Sequence, residues 1–184
     1  SHMFRFFSVF NADAIKDVKL YKGGIPASFG GRVSSVLDIR QKDGNSKNFE
    51  LNGGIGVISS RLTAEGPVFG DKGSFLIAGR RSYVDLLLKA AGDENSVSFY
   101  DLNLKTNYSI NRNNKLFLSG YFGRDAFKLG SSFDSSYGNS TGNLRWNHIF
   151  NDRLFSNLSA ILSRYDYDLE FAQDEFEWLS SITN

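Results

Sequence analysis

Residues 101–110 read DLNLKTNYSI. Leu102, Leu104, Tyr108 and Ile110 fall on one side of an extended chain, and Asp101, Asn103, Lys105 and Asn107 on the other. Successive side chains of a strand point to opposite faces, so a period of two with one apolar side predicts a half-apolar β-strand. Asn111-Arg112-Asn113-Asn114 follows, a cluster of short polar side chains suited to a tight turn. Lys115 to Phe127 then reads as the returning strand.

The same pattern spreads in both directions. Downstream, a polar loop is expected over Lys128 to Asn139. Beyond it Gly142, Leu144, Trp146, His148 and Phe150 alternate with Asn143, Arg145 and Asn147. Asn151-Asp152-Arg153 turns the chain, and Leu154 to Leu169 is the last full strand, with a further one beginning near Trp178. Upstream, Phe49, Leu51, Gly53, Ile55 and Val57 alternate with Glu50, Asn52, Gly54 and Gly56. Leu62, Ala64, Gly66 and Val68 alternate with Arg61, Thr63 and Glu65. Gly70-Asp71-Lys72-Gly73 is a tight turn into Ser74 to Tyr83. Val84 to Gly92 fits either a helical turn or a strand extension.

The spacing of the turns adds to the reading. Short connections at 70–73, 111–114 and 151–153 alternate with long ones over Val84 to Ser98, Lys128 to Asn139 and Asp166 to Glu177, although the short connection near Ser59 departs from the rule. Short turns at one end and long loops at the other is the arrangement of outer-membrane barrels. Strands of roughly 10 to 13 residues exceed the ordinary globular strand and match what a tilted crossing of a bilayer needs. The expected fold is therefore all-β: an antiparallel meander of about seven long strands, an incomplete segment of an outer-membrane β-barrel.

Composition agrees. Of 184 residues, 17 are Phe, 8 Tyr and 18 Gly, against 2 Pro, which favours strands and turns over helix. The net charge of +1 is interspersed along the chain and leaves no clustered basic face for nucleic acid. Cysteine is absent, which excludes disulfides and thiolate metal sites. No apolar run is long enough for a transmembrane helix, a test that strands escape because they alternate. Ser1-His2-Met3 reads as the scar of a cleaved purification tag, and the chain as an excised segment of a longer one.

Upstream of the meander lies KLYKGGIPASFGGRVSSVLDIRQKD, Lys19 to Asp43. Two strand-like runs, Val18 to Tyr21 and Ser35 to Gln41, flank a linker with Gly23, Gly24, Gly30 and Gly31, interrupted by Pro26. Before it, Asn11-Ala12-Asp13 can cap a short helical turn through Lys16. This order of events resembles the end of the plug domain of TonB-dependent outer-membrane receptors. Asn52 to Val57 (NGGIGV), Ser60 to Val68 (SRLTAEGPV) and Ser74 to Tyr83 (SFLIAGRRSY) are similar to the first barrel strands of the Bacteroidetes, SusC-related branch of that family.

The resemblance implies that 4–43 is the C-terminal part of a plug, with Gly23, Gly24, Gly30 and Gly31 forming its turns, and that 44–184 supplies N-terminal strands of a barrel that the family closes with about 22. It implies energised ligand uptake at the outer membrane, with outer-membrane lipid, the TonB complex and, as a further option, a surface lipoprotein as partners, and with no cofactor. The family locks plug to barrel with arginine–glutamate pairs. Glu50 and Glu65 point inward by alternation, so Arg32 with Glu65 or Glu50 is the candidate pair; a lone arginine facing a watery lumen is the alternative. In GRRSY one of Arg80 and Arg81 faces in and the other out.

Catalytic chemistry has little support. His148 lies on an apolar strand face beside Trp146 and Phe150, where an interfacial histidine is the simpler reading. No serine sits in a nucleophile elbow and no glycine pattern cradles phosphate. The acidic residues Asp166, Asp168, Glu170, Asp174, Glu175 and Glu177 match no calcium loop, and a solvated extracellular loop is favoured over a metal site. The rival to the transporter reading is a soluble all-β adhesion or ligand-binding module, which would bury the apolar face. A chain left with open strand edges is expected to self-associate.

Overall fold

The computed structural model describes residues 11–29, 35–70, 72–130, 133–171 and 176–183, without the side chains of 28, 171 and 176–179. A single 3₁₀ turn, Ala12–Ala14, opens the described chain, with the Asn11 side chain accepting from the Asp13 N–H at 3.1 Å. The helical turn thus ends before Ile15, and the residues expected to continue it already belong to a strand. That strand, β1 (Ile15–Tyr21), pairs antiparallel with β2 (Val36–Gln41) as a separate two-stranded hairpin.

Eight strands form the main sheet: β3 (Glu50–Ile55), β4 (Ser59–Val68), β5 (Gly73–Ser82), β6 (Ser96–Asn111), β7 (Asn114–Leu129), β8 (Phe133–Asn151), β9 (Leu154–Phe171) and β10 (Phe176–Thr183). Each is antiparallel to its neighbours in chain order, a meander open at β3 and β10. The all-β meander expected from periodicity is therefore the fold, with one strand more than the seven or so counted. Between β5 and β6 the ambiguous leucine-rich stretch is helical, α1 (Val84–Ala90), with Asp85 in its first turn and Lys89 in its last.

Two loops expected from polarity are strand instead. β7 runs to Leu129 and β8 begins at Phe133, so most of Lys128 to Asn139 is ladder; β9 likewise continues through Asp166 and Asp168 to Phe171. Here the alternation changes sides, with Asp134, Ser136, Asp166 and Asp168 on one face and Phe127, Phe133, Tyr137 and Tyr167 on the opposite one, while the backbone pairing continues untouched. Cross-strand contacts support these extensions: Arg124 and the Ser136 hydroxyl both donate to Asp168, Phe127 stacks edge-on to Phe133, and Tyr137 stacks on Tyr167. The acidic residues Asp166 and Asp168 are thus strand residues, each ion-paired, with Arg164 and Arg124 respectively. In the other direction β3 is shorter than expected. The Asn45 Oδ1 accepts from the N–H groups of Lys47 and Asn48 and holds those residues in a turn.

The tight ends behave as their residues dictate. Phe69 and Gly70 take φ of 55° and 64° at the β4–β5 turn, whose Asp71 lies outside the described residues. At the β6–β7 turn the Asn111 side chain accepts from the Asn113 N–H at 3.0 Å, and at the β8–β9 turn Asn151 accepts from Arg153 at 2.9 Å.

Burial is inverted relative to a water-soluble sheet. Among the described residues the buried apolar side chains are Ala14, Leu76, Ala78 and Phe99, while Asn11, Thr63, Ser74, Ser82, Asp101, Asn103, Asn107 and Ser135 are buried polar ones. Leucines, phenylalanines and a tryptophan stand exposed on the other side, Leu62 at 57%, Leu144 at 50% and Leu158 at 64% among them.

Candidate functional site

The two faces of the sheet constitute the site. Register places Thr63, Ala78, Asn103, Tyr121, Thr141 and Ser163 in one row across six strands of the inner face. A second inner row runs Glu50, Glu65, Leu76, Lys105, Ser119, Asn143. Apart from Leu76 and Ala78 these are mostly the polar members of the sequence alternation, and the segment carrying the β1–β2 hairpin lies over the part of them on β4 to β6.

The hairpin is held at a few points. Ala14 packs with Leu76 and Ala78 into a small apolar cluster. Lys105 Nζ reaches up to bond the Gln41 carbonyl at 2.8 Å and the Asp43 carboxylate at 2.8 Å, and Gln41 Nε2 donates to Asn103 Oδ1 at 3.1 Å. Arg61 lies 3.4 Å from Asp13. Gly44, the next residue, passes so close to β5 that a Cβ there would fall onto the Phe75 carbonyl, which restricts the crossing to glycine. An open cleft of about 1040 Å³ lies between hairpin and sheet, bordered by Asp43, Lys105, Tyr121, Asn143, Arg145 and Tyr165.

Glu50 and Glu65 sit directly opposite each other across β3 and β4. Like charges in that position repel unless donors separate them. Asn45 does so: its N–H donates to Glu65 Oε2 at 2.9 Å and its amide nitrogen to Glu50 Oε1 at 2.5 Å. Arg32, Gly30 and Gly31 lie outside the described residues, so the Arg32 pairing does too. Gly23 and Gly24 connect β1 to the 3₁₀ turn Ala27–Phe29, Gly24 at φ 60° with open space around it.

Arg80 turns inward and Arg81 outward. Arg80 rests over the Phe99 ring, 4.9 Å from its centroid, and its Nε and a terminal nitrogen contact Asp101 at 2.7 and 2.6 Å. Arg81 reaches Asp85 in the first turn of α1 at 3.8 Å. The contacts through Asp13, Asp43, Gln41 and Lys105 escape a reading by alternation, because they join segments whose separation in space depends on how the hairpin docks. Arg80 with Asp101 depends on register, which periodicity alone leaves open.

The outer face is largely apolar. Tyr108, Leu116, Trp146 and Leu158 lie side by side, then Phe75, Thr106, Leu118, Leu144 and Ala160, then a row with Leu51, Ala64, Ile77, Leu104 and Leu162, then one with Leu62, Leu102 and Phe122 that ends in Ser140 and Arg164. His148, at the lower margin, packs edge-on to Phe150 and shares the Asn114 Oδ1 with the Trp146 indole N–H, at 2.7 and 3.0 Å. Aromatic rings with one satisfied polar tip suit a boundary between apolar and wet surroundings.

No helix among the described residues is long and apolar enough to cross a membrane, which leaves crossing by strands a separate question. No family model matches the chain, and neither a curated protein nor a solved structure matches it significantly.

Proposed function

We propose that the chain is part of the wall of an outer-membrane β-barrel of the TonB-dependent receptor type, carrying the end of a plug on its lumen face and serving energised ligand uptake rather than catalysis. The observation that carries this reading is which face is covered. The β1–β2 hairpin packs on the polar face, while among the described residues nothing lies over the face of Leu104, Leu118, Leu144 and Leu158. A soluble adhesion or ligand-binding module needs the reverse, since a bare apolar area of this kind exceeds the few hundred Å² or so that soluble monomers tolerate. Lipid satisfies the apolar face, and a watery lumen the polar one.

In this reading Glu50 and Glu65, held by Asn45 beside the junction of hairpin and sheet, remain the proposed anchor for Arg32. Refolding into phosphatidylcholine vesicles followed by flotation tests the proposal: the chain travels with the lipid and stays there through a high-salt wash. A compact, monodisperse monomer in detergent-free buffer overturns it in favour of the soluble module.

A further inference from the structure

The strands of the sheet outrun its apolar face. The row of Leu102 and Phe122 ends in Ser140 and Arg164, whose guanidinium reaches Asp166 in the row above; that next outward row is Arg81, Tyr100, Arg124, Gly138 and Asp166, and the one after it Ser98, Ala126, Ser136 and Asp168. Lys128, Asp134 and Glu170 follow. From Arg81 onward the outward face carries charge on β5, β7, β8 and β9, yet the ladders continue unbroken to Leu129 and Phe133.

We infer that the bilayer ends at the row of Arg81, Tyr100 and Arg124, and that the ends of β6 to β10 beyond it project past the lipid as a ribbon. The inference rests on the membrane reading above and gives that reading a depth. Charged side chains on a lipid-facing wall are costly at mid-bilayer and tolerated at its margins, so a change of character shared by neighbouring strands marks a margin. Tyr100 sits on this line, as Tyr108, Trp146 and His148 sit on the opposite one, each presenting an apolar ring with a polar tip. From Phe150 at the lower margin to Ser140 just below the upper one, β8 covers roughly 34 Å at ~3.4 Å per residue. At the usual barrel tilt of about 35–45° this becomes a band of about 25 Å, the height of a lipid-facing belt.

A second copy of the chain is a poorer occupant. A protein interface has a polar rim around its apolar centre. Here the apolar band runs sideways from Leu51 on β3 to Leu158 and Leu162 on β9 and is bounded above and below, the outline of a slab. The tight turns of Asn111–Asn114 and Asn151–Arg153 lie at the end away from the ribbon. The long connection from β5 to β6, which carries α1, lies at the ribbon end, and since barrels of this class keep their longer connections outside, the ribbon is external.

The absence of cysteine makes depth measurable by single labels on the full chain. Leu118→Cys, Ala126→Cys and Lys128→Cys, each carrying a fluorophore, are compared in phosphatidylcholine vesicles containing lipids with a mid-chain nitroxide quencher. The label at 118 is expected to be quenched several-fold more strongly than those at 126 and 128, which iodide in the buffer quenches instead. Equal lipid quenching at all three sites overturns the boundary while leaving the chain in the membrane. A label at 118 that no lipid quenches, or that is shielded equally when vesicles are omitted, overturns the membrane reading itself.

Discussion

The guanidinium of Arg80 on β5 closes on the carboxylate of Asp101 on β6 with two contacts of 2.7 and 2.6 Å, and the Asp101 side chain is 2% exposed. The Asp101 Oδ1 accepts from Asn103 at 3.3 Å, and Asn103 in turn accepts from Gln41 of the hairpin. A polar connection thus runs from the wall of the sheet to the segment docked on it. Removing one partner of a buried pair leaves an uncompensated charge. Arg80→Leu should therefore cost about 3–5 kcal/mol in denaturant unfolding of the detergent-solubilised chain, and Arg80→Leu with Asp101→Leu should recover much of it. Additive losses in the double variant would show that the two side chains act separately.

Lys105 is the principal tether of the hairpin, because one ammonium serves both a carbonyl and a carboxylate. Lys105→Met should raise amide exchange across Ile15–Tyr21 and Val36–Gln41 by about tenfold, equivalent to ~1.4 kcal/mol, while leaving β7 to β9 protected. Arg61→Ala removes an ion pair whose arginine is half exposed and should change exchange little, within the ~0–1 kcal/mol of surface pairs. If the two substitutions loosen the hairpin equally, the tether is not at Lys105.

Gly44→Ala should disturb the crossing between hairpin and sheet, since the added methyl meets the backbone of Phe75 rather than a movable side chain. A loss of about 1–3 kcal/mol is expected from overpacking of this kind. Gly24→Ala offers a control: its positive φ strains the substitution, but no atom lies near enough to clash. Faster protease cleavage of the hairpin in the Gly44 variant, and near-normal cleavage in the Gly24 variant, is the outcome to look for.

Trp146 reports the lower margin of the apolar band. With Trp178→Phe as background, its emission should shift to shorter wavelength on transfer from denaturant into vesicles, and Asn114→Ala should alter it by freeing both the indole N–H and His148. An emission maximum that stays at its value in water would place this residue away from lipid.

The faces of the strands were legible because period two survives in any register: Leu102, Leu104 and Tyr108 had to share a side whatever their neighbours. The partners across strands were not, since Arg80 finds Asp101 only once β5 and β6 have chosen their offset. The extended ends of β8 and β9 were read as loops because Asp134, Ser136, Asp166 and Asp168 make the outward side polar while Phe133, Tyr137, Tyr165, Tyr167 and Leu169 fall inward, so the apolar side switches and the period kept by Leu144 and Trp146 is lost. The docking of the hairpin was hidden for another reason. Asp13 and Asp43 belong to short segments whose position is set by Ala14 meeting Leu76 and Ala78, a contact of three small or medium side chains with no periodic trace.

Six antiparallel ladders join β3 to β9, with a register shift in two of them just before Asn111 and Asn151, the asparagines that close those hairpins. An offset of one residue in any ladder does more than misplace contacts: it exchanges the two sides of every strand that follows. Leucines would then take the hairpin side, and lysines and asparagines the bare one. Fidelity of the sheet is accordingly concentrated in its shortest segments. The few atoms by which Asn111 and Asn151 hold the next turn decide, for all the residues downstream, which face of the sheet each one takes.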